Sequence, residues 1–332
     1  MVWRDILRLL LAGALLPLSA CISSDLAPRE TEVTPQVRPA APAPAPEPPK
    51  IEPKVVAPKG PSAKSIALAE YYQRREDDLL ARGLLRVDGG GPDTLFTDEM
   101  LIRDFRDIAL KEEYQRLSGL QYATTGQTSA IKKWTQPVRV VVETGRSVSA
   151  EQAGKDRAEV RKYTQRLARL TGHDIAVAQN QGNFHVMFLS ADELDQVAPR
   201  ILSMEPNADL NALRIFDDLP QETQCIVIAF ASTPGGYEYD TAVAVIRSEH
   251  PDLMRLACIH EEIAQGLGLS DDSAYARPSI FNDDDEFSLL TNHDELLLKI
   301  LYDPALTPGM SEEQALPIVR RQAAALVGSG AI

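Results

Sequence analysis

Eleven of the chain's 23 prolines fall between residues 28 and 61, and that concentration decides where a core can form. Proline fixes φ and has no backbone N–H, so a dense run of it supports neither a helix nor a central strand. The run from Pro39 to Pro49 holds only alanine, glutamate and more proline, with nothing large and apolar to bury. At about 3.1 Å per residue, a polyproline II segment of this length is a semi-rigid spacer reaching up to roughly 100 Å. A proline-rich ligand for a partner domain is the alternative reading of the same residues. Folding is thereby confined to the chain from Ser62 onward. The whole sequence is 44% hydrophobic, which is ordinary for a globular core. It carries 34 Lys+Arg against 48 Asp+Glu, a formal charge of −14 with no basic stripe, so nucleic acid is excluded as the default partner.

Upstream of the spacer, Arg4 and Arg8 precede an apolar run from Leu9 to Leu18 that ends in small residues, the pattern of a secretion signal. Ten apolar residues are too few for a bilayer-spanning helix, which takes roughly 20. Leu18-Ser19-Ala20-Cys21 resembles the lipobox of bacterial lipoproteins. The resemblance implies cleavage before Cys21, lipidation of that cysteine and a membrane anchor through acyl chains. Ile22, standing where Asp would favour inner-membrane retention, points to the outer membrane. The expected organisation is a signal peptide at 1–20, a lipidated spacer at 21–61, a helical region at 62–120 and a main domain at 121–326, placed in the periplasm.

Apolar spacing near three and four predicts a helix from Ser62 to about Gly83, and Thr97 followed by Asp98 and Glu99 opens a second. From Ile131 strand and helix patterns alternate. Strands are predicted at 138–142, 174–178, 184–189, 225–231 and 241–247, and helices at 149–171, near 191–201, and at 252–267, 294–302 and 311–326. This order predicts an α+β fold, a mixed β-sheet with packed helices. With Cys21 assigned to lipid, Cys225 and Cys258 remain as an even pair in a disulfide-permissive compartment, so a disulfide is predicted, with two buried free thiols as the alternative. The acidic stretch Asn282-Asp283-Asp284-Asp285-Glu286 lacks the alternation and glycine of an EF-hand and reads as a solvated loop.

The segment Cys258-Ile259-His260-Glu261-Glu262-Ile263-Ala264-Gln265-Gly266-Leu267-Gly268-Leu269-Ser270-Asp271-Asp272 carries the most chemistry. A zinc peptidase helix sets two ligands at i and i+4 on one face with a glutamate base between them. This stretch resembles the metzincin frame HExxHxxGxxH in register. Glu261, Gln265 and Asp271 stand at the ligand positions, Glu262 at the base and Gly268 at the turn. Pro278-Ser279-Ile280-Phe281 is similar to the methionine-containing turn of that family, with Phe281 in the methionine place. His260 is one position off, about 100° around the helix, and reads as a surface or capping histidine. Oxygen donors with an amide among them disfavour zinc, so no cofactor is expected, and an oxygen-liganded cation is the remaining option.

The fuller pattern, from Cys258 with Glu261-Glu262 through Asp271-Asp272-Ser273 and Pro278-Ser279-Ile280-Phe281-Asn282 to Asp294-Glu295-Leu296 and Leu301-Tyr302-Asp303-Pro304, resembles a family of bacterial lipoproteins classed as domain of unknown function 2927 (DUF2927). The resemblance covers residues 121–321 and implies no assigned activity. Three functions follow as expectations. The first is a catalytically degenerate metzincin-like domain whose polar positions form a buried network and whose cleft binds a peptide, a glycan or an envelope protein. The second is an active hydrolase with Glu262 as general acid/base beside an oxygen-liganded metal or paired carboxylates. The third is a purely structural envelope lipoprotein.

Overall fold

β-Branched and aromatic runs bounded by turn residues form the centre of the fold. The computed structural model describes residues 60–111, 114–115, 121–122 and 130–328. The expected signal peptide, Cys21 and the spacer through residue 59 lie outside them. Two short strands, β1 (Tyr114–Gln115) and β2 (Gln121–Tyr122), pair antiparallel. The main sheet contains β3 (Val138–Thr144), β4 (Ile175–Val177), β5 (Phe184–Leu189), β6 (Cys225–Ala231) and β7 (Tyr239–Arg247) in the order β4-β3-β5-β7-β6. All neighbours are parallel except β6, which runs antiparallel to β7 along the edge. The sheet is therefore mixed, as the element order predicted.

Alternate residues of each strand serve opposite faces. Phe184, Val186 and Phe188 of β5 and Ala242, Ala244 and Ile246 of β7 join one core, while Met187, Leu189, Val243 and Val245 join another. Helices cover both faces for that reason. The larger core takes α3 (Ala150–Thr171) through Val160, Tyr163 and Leu167, and α6 (Asp252–Gly266) through Ile259 and Ile263. α3 begins at a Ser149 cap and stops at Gly172, whose φ of 68° a side chain would resist. The smaller core takes α4 (Val197–Met204) and a short helix α5 (Leu210–Leu213) that continues into a 3-10 turn at Arg214–Asp217. Neither α5 nor that turn has enough residues to show periodicity in sequence. β4 is shorter than predicted, since only three residues find a partner on β3.

The first helix, α1 (Ala63–Ala81), sits over the start of α6. α6 begins at Pro251, which offers no side-chain cap, and Glu76 from α1 supplies the acceptor instead: its Oε2 receives the Met254 N–H at 3.0 Å. Tyr72 donates to the Gln221 carbonyl and its ring lies 4.2 Å from that of His250. α2 (Asp98–Ala109), α7 (Asn292–Leu301) and α8 (Glu312–Gly328) complete the larger core. The acidic loop is not simply solvated, contrary to expectation. Asp285 pairs with Arg75 at 2.8 Å, Glu286 pairs with Arg86 and Arg277, and the Leu85 and Arg86 amides bond to the backbone of the loop. Among the described residues no helix is long and apolar enough to cross a membrane.

Cys225 of β6 and Cys258 of α6 are joined by a disulfide, 33 positions apart in sequence. Closing a loop of this size removes unfolded-state entropy worth roughly 3 to 4 kcal/mol in the chain-entropy model. The double substitution Cys225→Ala and Cys258→Ala is expected to lower unfolding free energy by about that amount, measured by urea denaturation.

Candidate functional site

The C-terminal end of α6 is set by contact with its neighbours. Gly266 packs where an added Cβ would meet the Phe184 ring at 2.5 Å, so only glycine lets the helix lie this close to the sheet. The last carbonyls, which a helix cannot satisfy internally, accept from remote side chains: Trp134 Nε1 donates to Gly266 O at 2.8 Å and Tyr302 Oη to Leu267 O at 2.9 Å. Gly268 follows with φ 124°, and a Cβ there would strike the Lys132 carbonyl oxygen. The turn position singled out by the frame thus has two physical reasons to be glycine. Beyond it, the Asp271 N–H bonds to the Ile108 carbonyl and joins the segment to the end of α2.

The frame's polar residues divide between two places. Glu262 is buried at 3% exposure, Glu261 is half-buried, and their carboxylates lie with Cys225 Sγ in a group whose ligand atoms are within 4.8 Å of one another. Among the described residues this is the single His, Cys, Asp or Glu trio at such spacing, and Asp271 is not part of it. Gln265 turns instead toward Asp272, its Nε2 3.5 Å from Oδ1. Burial raises the Asp271 carboxyl to about 6 and the Asp272 carboxyl to about 7, the latter also by the negative charges of Asp283 and Asp271.

These donors do not fit zinc. The Cys225 sulfur is bonded to Cys258 and cannot act as a thiolate, which leaves two carboxylates and no imidazole. His260 supplies none, and its expected place at the surface is corrected: it is buried, stacked on Tyr163 at 4.0 Å, and its Nδ1 accepts the Leu290 N–H at 3.0 Å. Burial lowers its pKa to about 3, so it is a neutral structural acceptor.

The segment resembling the methionine turn is organised by Asp294. Its Oδ1 accepts from Ser279 Oγ at 2.6 Å, and its Oδ2 accepts from the Ile280 and Thr291 amides and from Thr291 Oγ1. Phe281 points into the larger core with no exposure. Next to Asp294, buried His293 lies 3.1 Å from Asp104 of α2. Sequence reasoning passed over both roles, although Thr291 and Asp294 stand at capping-box spacing, a readable signal. It also passed over His185 of β5, whose Nδ1 is 2.6 Å from Glu143 of β3, because that pair spans two strands and leaves no local pattern.

Comparison with known proteins adds one relationship. A family described as "Protein of unknown function (DUF2927)" matches residues 98–321, a span that begins at α2. No curated protein and no solved structure matches the chain.

Gly268→Ala is expected to cost about 2 kcal/mol or more, from positive φ and steric contact together, with a matching drop in thermal midpoint. Asp272 has the opposite logic to a salt-bridged carboxylate. With its folded pKa raised, the folded state holds the proton more tightly, so stability is greatest below the ordinary carboxylate pKa and falls as pH rises toward about 7. Asp272→Asn is expected to flatten that decline and stabilise the protein at pH 8 by on the order of 1 kcal/mol, since the half-buried carboxyl is partly screened. Denaturation at pH 5 and pH 8 measures both effects.

Proposed function

The chain belongs to the DUF2927 family, and from that membership and the chemistry of α6 we propose a lipid-anchored bacterial envelope protein with a non-catalytic metzincin-like domain that binds a peptide or another envelope component. The observation that carries this reading is the disulfide. It takes the Cys225 sulfur that lies beside Glu261 and Glu262, so this cluster, the one found among the described residues, retains carboxylate oxygens alone. In this reading Glu262 is a buried structural acid of α6, Gln265 and Asp272 brace the following turn, and Gly268 sets its path. The lipobox-like Leu18-Ser19-Ala20-Cys21 and the proline spacer support anchoring at the outer membrane with the domain held in the periplasm.

A second reading is favoured by one observation. Asp271 and Asp272, raised to about 6 and about 7, form a carboxyl pair that is part protonated and part ionised near neutrality, the condition acid/base hydrolysis requires. Glu262 as general acid/base, with paired carboxylates or an oxygen-liganded cation, belongs to this alternative.

Elemental analysis of protein purified from an oxidising periplasm without chelators tests the first reading, which expects far less than one transition-metal ion per chain; a stoichiometric ion overturns it. Glu262→Gln is expected to lower stability by about 1 to 3 kcal/mol, and in this reading neither the natural protein nor the variant turns over casein or peptidoglycan fragments. Hydrolysis abolished by Glu262→Gln or Asp272→Asn in a still-folded variant would establish the second reading instead.

A further inference from the structure

The connections leaving β3 and β5 part company at the carboxyl ends of the strands. After β3 the chain turns to α3 on the larger core, and after β5 it turns to α4 on the smaller core. The strand order β4-β3-β5 makes this a topological switch point, where parallel sheets open a crevice beyond their carboxyl ends. In this protein the crevice is a cavity of about 690 Å³, floored by the ends of β3, β5 and β7 and roofed by the first turns of α1. Its size suits a small molecule.

The wall is chemically two-sided. Pro61, Ile66 and Ala69 of the α1 side are apolar, and Ile66 is 48% exposed. The opposite side presents Glu193 and Glu249 with serine hydroxyls, and Asp192 and Glu70 add charge, against Arg146 as the one basic lining residue. Glu193 is fully employed in structure. It accepts from the Arg146, Ser147 and Ser190 amides and from the Ser147 and Ser190 hydroxyls, which ties the two diverging loops together. Glu249 is not. Its residue is 9% exposed, its Oε1 accepts from Ser65 Oγ and the Ala191 N–H at 2.7 Å each, and its buried Oε2 has no hydrogen-bond partner among the described residues. A buried carboxylate oxygen left without a donor is costly and marks a place where a donor group belongs.

We infer that this crevice is a binding site for a small aliphatic amine, with an ammonium group donating to Glu249 and the hydrocarbon stem lying along Ile66 and Ala69. Four carboxylates against one guanidinium set the preference for a cation, and the apolar wall sets the preference for an aliphatic stem over a hydrated metal ion. The site is separate from α6 and its polar frame, and it does not depend on the function proposed for that helix.

Isothermal titration of spermidine into the full chain in detergent tests the inference, repeated with two variants. Glu249→Gln keeps an oxygen for Ser65 and Ala191 while removing the charge, and Ala69→Trp fills the cavity from α1 without touching an acid. Saturable binding is expected for the natural protein, weakened at least about tenfold by each variant while thermal midpoints stay close to the natural one. Absence of saturable binding up to millimolar spermidine overturns the inference. So does binding that survives Ala69→Trp in a folded protein, which would place the amine on the general acidic surface. Should Glu249→Gln fail to fold, Ala69→Trp alone decides.

Discussion

The close seating of α6 on the sheet is the constraint from which most of the structure follows. Gly266 allows the helix to approach Phe184 and Val227, and the Cys225–Cys258 disulfide fixes the same helix to the edge strand β6. Once α6 lies there, its terminal carbonyls are out of reach of water and must be met by Trp134 and Tyr302, one from before β3 and one from the end of α7. Its N-terminus is likewise met by Glu76 from α1. A single packing decision thus recruits three distant segments, because a buried helix end without partners would forfeit hydrogen bonds worth about 1 to 3 kcal/mol each.

A second buried network sets the position of the segment after α6. Asp294 gathers Ser279, Ile280 and Thr291, and His293 bridges toward Asp104 on α2. Burial works against a charge on His293, but the side-chain contacts with Asp104 and Asp294 and their negative charges outweigh it and hold its pKa above the ordinary value. A raised histidine pKa contributes stability that is complete below the ordinary pKa and lost as pH rises through the raised one. Asp272 acts in the same direction for a different reason, as a carboxyl whose proton burial retains. Both groups therefore lower stability as pH rises, Asp272 between the ordinary carboxylate pKa and about 7 and His293 above the ordinary imidazole value.

Much of the element order was legible because it is written locally. The β-branched run at Val138, the Ser149 and Thr97 caps and the three-four spacing of α1 each need only neighbouring residues to be read, and each appears close to its expected place. α5 was not legible, because four residues carry no period. The acidic loop and His260 misled for a shared reason. Charge and polarity in sequence suggest solvent, whereas Arg75, Arg86 and Arg277 reach the loop from positions up to 210 residues away, and the Leu290 amide reaches His260 across 30.

The candidate site divides along the same line. The sequence by itself determined the register of Glu261, Glu262, Gln265 and Gly268 along one helix and the turn after it, since a helical repeat of 3.6 residues fixes which positions share a face. It also led to the expectation of a Cys225–Cys258 disulfide, which the structure contains. The tertiary structure alone decided that Gln265 meets Asp272 while Asp271 stays apart from Glu261 and Glu262, and that Glu249 ends in a crevice between β3 and β5. Those meetings depend on how strands order themselves and how close a helix can approach a sheet, and such contacts between segments far apart in the chain have no periodic signature to read.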